Sequence, residues 1–240
     1  MQSRFSIETQ NSIHYYYMNK LTLTLAALAV CTLTASALTP TNLLSNGSFE
    51  NTGTTATGGQ GIYIYTAGTA LPGWTISGPD DVHVLKTPDI GNSIGSNFNF
   101  AQDASFYLDL SGNGGAHPTV YQDFATSVAG SYKLTFYIGA PSTPGNIINV
   151  KLTGSTSLSD VTYTAAAAGA NINWTLETVN FTANSTTTRV SFNDTTSSDD
   201  NAAAIDNVSV VSTVPEPATN ALMVIGFAVV AGQCVRRKRA

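Results

Sequence analysis

Residues 132–138 alternate apolar Tyr132, Leu134, Phe136 and Ile138 with Lys133, Thr135 and Tyr137, a spacing that limits the fold more than any other feature of the chain. A period of two puts one set of side chains inside and the other outside, as in a half-buried β-strand. The next segment, Ala140-Pro141-Ser142-Thr143-Pro144-Gly145-Asn146, is dense in turn-formers. Beyond it Ile148, Val150 and Leu152 alternate with Asn149 and Lys151, so the pair is expected to form a hairpin. Similar short apolar runs occupy residues 106–110, 120–124, 174–181, 190–192 and 204–211. Helix signals are nearly absent: the alanine run 165–168 is closed by Gly169 within one turn and is read as a loop. The expected class is all-β, a sandwich or barrel of short strands between turns.

The two ends follow different rules. Residues 1–17 are polar and aromatic without periodicity, and a second methionine, Met18, is followed at once by Asn19 and Lys20. Translation is expected to start at Met18, leaving 1–17 as an extension outside the native protein. Lys20 then supplies a positive n-region, residues 21–33 an apolar h-region, and Ala35-Ser36-Ala37 a cleavage site, so that 18–37 form a signal peptide. The mature chain would begin at Leu38. Leu28-Ala29-Val30-Cys31 resembles a lipoprotein box, but Val30 is not the small residue such a box places before its cysteine, and lipidation is the weaker option.

At the other end, prolines two residues apart hold Val214-Pro215-Glu216-Pro217 extended. The apolar run 221–235 is shorter than the roughly 20 residues that span a bilayer comfortably, and it spans only if Thr219 and Asn220 are drawn in. Arg236, Arg237, Lys238 and Arg239 make a positive stop expected on the cytoplasmic side. A plain single-pass anchor is one reading. Segments 214–240, with a transmembrane helix at about 219–235, also resemble the PEP-CTERM sorting signal of Gram-negative bacteria. That resemblance implies an exosortase as processing partner, with Pro215, Glu216 and Pro217 as its recognition triplet. It further implies an inner-membrane intermediate, cleavage near the triplet, and a final place at the cell surface or in the extracellular matrix.

Residues 38–213 remain as one domain of a size suited to a single core. Both cysteines, Cys31 and Cys234, lie in the end segments, so no disulfide holds this domain despite export. The whole chain has a formal charge of −5. The domain itself sets Lys86, Lys133, Lys151 and Arg189 against thirteen carboxylates, which leaves it at −9. Nucleic acid and other polyanions are poor partners for such a surface, whereas divalent cations and neutral sugars suit it. Solubility alone would also account for the charge.

Several motifs in order carry a second resemblance: Asn42-Leu43-Leu44-Ser45-Asn46-Gly47-Ser48-Phe49-Glu50, Leu71-Pro72-Gly73-Trp74-Thr75-Ile76, Tyr107-Leu108-Asp109-Leu110, Gln122-Asp123-Phe124 and Ala204-Ile205-Asp206-Asn207-Val208-Ser209-Val210. Together they are similar to the choice-of-anchor C type family, a domain of unknown function, and to galactose-binding-like jelly rolls that include many carbohydrate-binding modules. The resemblance implies a jelly-roll β-sandwich whose opening strand is 42–50. It also implies a structural calcium joining first and last strands through Glu50 and Asp206, a role that Ca²⁺, with its six to eight oxygen ligands, fits physically. The alternative is that both carboxylates accept backbone hydrogen bonds. The stretch 88–102, with Gly91, Gly95, Asn92, Asn97 and Asn99, departs from the family pattern as a longer loop.

For a sugar site the candidates are Trp74, Tyr63 and Tyr65, with Trp174 behind them, because aromatic faces cover the apolar side of a pyranose. Asp81, His83 or Asn97 would then read its hydroxyls. The competing reading makes each Trp a core side chain. Catalysis finds less support. Gly91-Asn92-Ser93-Ile94-Gly95 matches the nucleophile-elbow spacing but lacks the strand before and helix after, and reads better as a glycine-rich loop. His83 and His117 are too few for a multi-imidazole metal centre, and no carboxylate pair among Asp80, Asp81, Asp103, Asp109 and Asp123 stands out for glycoside hydrolysis. The Asn-x-Ser/Thr triplets at Asn46, Asn173, Asn180, Asn184, Asn193 and Asn207 follow from composition in a chain with a bacterial-type tail. The expectation is an exported, noncatalytic protein that binds carbohydrate or exopolysaccharide. A structural or adhesive matrix protein that contacts protein partners is the alternative, and a polysaccharide hydrolase ranks behind both.

Overall fold

The computed structural model describes residues 40–53, 58–87, 100–113, 117–140, 146–166, 171–196 and 203–213, and all of them fall in one compact unit, Pro40–Glu216. The expected signal peptide, the sorting tail, the glycine-rich segment 91–95 and Asn97 lie outside the described residues. Among the described residues no helix is long and apolar enough to cross a membrane.

Eleven strands form two antiparallel sheets. The six-stranded sheet runs β1 (Ile62–Thr66), β3 (Asp81–Lys86), β4 (Phe106–Asp109), β11 (Ala204–Ser212), β6 (Ser131–Gly139) and β9 (Thr175–Thr182). The five-stranded sheet runs β2 (Thr75–Ser77), β5 (Thr119–Ala125), β10 (Thr187–Asp194), β7 (Ile147–Thr153) and β8 (Ser157–Thr164). The fold is the expected all-β jelly-roll sandwich. Its core lies between the sheets, where strict alternation delivers Leu134, Phe136 and Ile138 from β6, Ile148, Val150 and Leu152 from β7, and Val190 and Phe192 from β10. Phe192 is its centre: Phe136 and Trp74 meet it edge-on at 5.4 and 6.0 Å, and Phe49 lies 5.5 Å from Trp74. Edge-on packing suits the ring quadrupoles, and each such buried ring contributes about 1.5–3 kcal/mol by leaving water.

The hairpin expectation is corrected. β6 and β7 do not form a hairpin: β6 pairs with β11 and β9, and β7 with β10 and β8. Both strands point an apolar face at the same core, a pattern that two strands on opposite sheets of a sandwich satisfy as well as two strands of one hairpin. The seven-residue connection 140–146 reaches about 23 Å when extended, ample for the gap of about 10 Å between sheets. The true hairpin is β7–β8, closed by the bend at 154–156. β8 is an edge strand with a register shift against Leu152 and Thr153. That shift lets Leu158 and Tyr163, an odd number of residues apart, both pack on the core, with Tyr163 edge-on to Phe136 at 5.4 Å.

Residues 42–50, expected as the opening strand, form no regular ladder. Leu43 N donates to Val210 O, Val208 N to Gly47 O, and the Asn42 side chain joins Val208 O and Val210 N, so the segment is stitched to the last strand. Gly47 is required here, since a Cβ would sit 2.0 Å from Val208 O. Opposite it β11 is irregular between Asp206 and Ser209, with Asn207 at φ 48°.

Candidate ligand-binding face

The described members of the expected sugar-binding set, Trp74, Tyr63, Tyr65, Asp81 and His83, do not assemble into one open site. Trp74 is only 4% exposed, and its Nε1 donates to Asn46 O at 2.9 Å, so it is a core ring and not a platform. Tyr65 is buried as well, its hydroxyl donating to Thr52 O at 2.7 Å, and burial pushes its phenol up to about 12. Both corrections have the same physical origin: in a thin sandwich the large rings fill the space between sheets. Tyr63 is half-buried, edge-on to Phe106 at 5.6 Å. Trp174, also half-buried, caps a small apolar cluster of Leu85, Tyr107, Ile172 and Ala204 on the outer side of the six-stranded sheet, with Nε1 donating to Phe100 O.

Asp81 and His83 do meet, but inside a local lock. Asp81 accepts from Asn113 N at 2.8 Å and Asn113 Nδ2 at 3.1 Å, and the same amide lies 3.0 Å from His83 Nε2. Burial acts to raise the Asp81 carboxyl, yet the Asn113 bonds and the nearby imidazole bring it below the usual range. Asp109, opposite His83 in the ladder, is pushed up to about 6, chiefly by burial and against the pull of His83 and the Ser111 hydrogen bonds. A second enclosed pair sets His117 Nδ1 3.5 Å from Asp194 Oδ2. No hydroxyl among the described residues is bonded to the His117 ring, so the pair has no nucleophile attached there.

Glu50 and Asp206 grip one segment from two sides. Glu50 Oε1 accepts from Ser105 N and Phe106 N, both at 2.8 Å. Asp206 Oδ2 accepts from Gln102 N and Asp103 N at 2.8 and 2.9 Å, and Oδ1 from Asn207 N at 2.6 Å. Both carboxylates thus accept backbone hydrogen bonds, the alternative to a calcium role, and together they fasten residues 102–106 between the opening segment and the last strand. Backbone N–H groups already bond Glu50 Oε1 and both Asp206 oxygens, an arrangement that suits hydrogen-bond acceptance more closely than the six to eight oxygen contacts calcium takes. Among the described residues no three acidic, histidine or cysteine side chains converge as a metal site. Adding excess EGTA is accordingly expected to shift the melting temperature by less than about 1 °C, against several degrees for loss of a structural ion.

Among the described residues an open groove lies on the outer side of the five-stranded sheet. A polar groove of about 570 Å³ crosses it, lined by Ser77, Thr119, Tyr121, Asp123, Lys151, Thr153, Gly154, Ser185, Thr187, Arg189 and Ser191. Alternation puts them there: Val120, Gln122 and Phe124 of β5 turn inward, so Thr119, Tyr121 and Asp123 turn outward. The register then sets Asp123 opposite Arg189, and Arg189 opposite Thr153. Arg189 Nε and Nη2 donate to the two Asp123 oxygens at 2.7 and 2.8 Å, and the guanidinium lies 3.8 Å over the Tyr121 ring. Its hydrogen bonds, foremost, hold the Asp123 carboxyl below the usual range and raise Arg189. Beside them Lys151 Nζ is 3.3 Å from Asp160 Oδ2, and Asn149 donates to Oδ1 at 2.8 Å. Such half-exposed pairs add little stability, but they fix long side chains in place. The period-two pattern of residues 119–125 held the signal for this site; aromatic type alone pointed instead to the core.

Fold and face together define a jelly-roll domain with a closed aromatic core and, among the described residues, an open groove on the five-stranded sheet. Over residues 42–211 it matches the model of a protein family of unknown function, DUF642, and the chain belongs to that family. It is 32% identical over 174 residues to halomucin of Haloquadratum walsbyi, a match covering 71% of this chain; the chain spans about 2% of that relative's length. Among solved structures it is similar to a CBM4 module (16% identity, TM-score 0.40, 71% of this chain and 99% of the other). It is also similar to TmCBM61, solved with β-1,4-galactotriose (17%, 0.47, 72% and 99%), and to the K1 cleaved adhesin domain of Lys-gingipain from Porphyromonas gingivalis W83 (17%, 0.41, 64% and 99%).

Proposed function

We propose that this protein is an exported, noncatalytic carbohydrate-binding protein that holds polysaccharide at the cell surface or in the extracellular matrix. The observation that carries the reading is the groove on the five-stranded sheet, where six Ser and Thr residues surround the Tyr121–Arg189–Asp123 stack. Sugar recognition needs many directional donors and acceptors around a small apolar surface, held before the ligand arrives. Each component is present, and the sheet beneath makes the arrangement rigid. Export, with residues 18–37 as signal and Pro215, Glu216 and Pro217 as an exosortase triplet ahead of the stop Arg236, Arg237, Lys238 and Arg239, belongs to the same proposal. Affinity electrophoresis through gels containing single polysaccharides tests the binding. Retardation by at least one polysaccharide is expected, with affinity reduced about tenfold or more when Arg189 is replaced by alanine, as for loss of a buried or pre-organised polar contact. Unretarded migration through every gel would refute it.

A further inference from the structure

The ion pairs in the groove say what kind of polysaccharide it suits, a step that rests on the carbohydrate-binding reading above. Two of the domain's four cations, Lys151 and Arg189, line this one groove, as if an acidic glycan were its ligand. Neither is uncompensated. Arg189 is held by both oxygens of Asp123, and Lys151 by Asp160, so the four groups sum to zero inside a domain at −9.

We infer that the groove selects a neutral, hydroxyl-rich stretch of glycan chain over a uronic-acid polymer. A uronate carboxylate entering here would meet Asp123 in the groove itself and find Lys151 already paired with Asp160, after crossing a long-range field of the wrong sign. A neutral sugar meets no such barrier. Its hydroxyls both donate and accept, and the paired groups offer both: carboxylate lone pairs from Asp123, and the remaining guanidinium N–H groups of Arg189. Ser77, Thr119, Thr153, Ser185, Thr187 and Ser191 extend that mixed pattern. Pinning by Asp123 and by the Tyr121 ring removes the rotamer freedom that a free arginine would lose on binding. The groove also crosses from β2 to β7 over three strand-to-strand steps, about 14 Å, which suits several sugar units in a row and not a single ring.

The whole protein can be run through gels of galactan, mannan, mixed-linkage glucan, polygalacturonate and alginate, each at about 20 and 300 mM NaCl, a range across which exposed charges become strongly screened. Retardation by at least one neutral polymer is expected, changed less than about twofold by salt, with none by the two polyuronates. Asp123→Asn frees the arginine charge, and is expected to gain polyuronate retardation that salt abolishes while the melting temperature stays within a few degrees of the parent. Salt-sensitive binding of polyuronate by the unaltered protein would overturn the inference and leave carbohydrate binding standing. Binding to none of the five would overturn both.

Discussion

Replacing Asp206 by alanine is expected to lower folding stability by about 3–5 kcal/mol, because three backbone N–H groups lose a buried acceptor, each at about 1–3 kcal/mol. The carboxyl is fully enclosed and accepts from Gln102, Asp103 and Asn207, so no water takes its place without rearrangement. Urea unfolding would register the loss as a lower midpoint with an unchanged slope. A drop below about 1 kcal/mol would show that residues 102–106 hold their place without it. The same group gives a pH signature. Burial, opposed by those three bonds and aided by Asp103, raises Asp206 to about 8. Its folded form therefore holds a proton that the unfolded chain, with an ordinary value near 3.9, releases. The associated stability is complete below about pH 4 and is lost as pH climbs through about 8. Asp206→Ala removes the part of that slope above about pH 6, leaving the part that Asp109, raised to about 6, adds below it, and a wild-type profile flat between pH 6 and 8 would contradict it.

Trp74→Ala is expected to cost a similar 3–5 kcal/mol, the range for deleting a large ring from a core that cannot collapse. Trp74 touches Phe49 and Phe192 and ties its indole to Asn46 O, thereby fastening the segment before β2 to the aromatic centre. Tyr121→Ala provides the contrast, since its ring faces out under Arg189 and its loss should change stability by less than about 1 kcal/mol. On polysaccharide gels the ranking reverses, with Tyr121→Ala losing retardation and any folded fraction of Trp74→Ala keeping it. If Trp74→Ala folded normally but lost binding, the site would lie at the Trp74 end of the domain.

Alternation made the sandwich legible. Residues 132–138 and 148–152 obey a period of two that only a half-buried strand satisfies, and both are found as strands. Partner choice was not legible, because the same pattern serves a hairpin or a crossing between sheets, and the length of the 140–146 connection permits either. β1, β2, β3 and β8 were missed, the last three for reasons visible in the structure. Asp81–Lys86 is buried on both faces and so shows little contrast, Thr75–Ser77 is three residues long, and a register shift hides the pattern of Ser157–Thr164. For the ligand face, residue type misled. Trp74 and Tyr65 combine rings with polar ends, which suit a core with one carbonyl to satisfy as well as they suit a sugar. Tyr121 and Arg189 are 68 positions apart and become neighbours only through the β5–β10 register, which no local pattern encodes.

The stitching of residues 42–47 to β11 also determines how the domain would respond to pulling. Leu43 faces Val210 and Gly47 faces Val208, an antiparallel arrangement that brings residue 40 and residue 213 out on the same side. A load drawn between those two points opens the bonds one after another, like a zipper, and does not shear them together. Such a domain yields at its margin under low force while the aromatic centre around Phe192 stays closed, and it can re-zip once the load is gone.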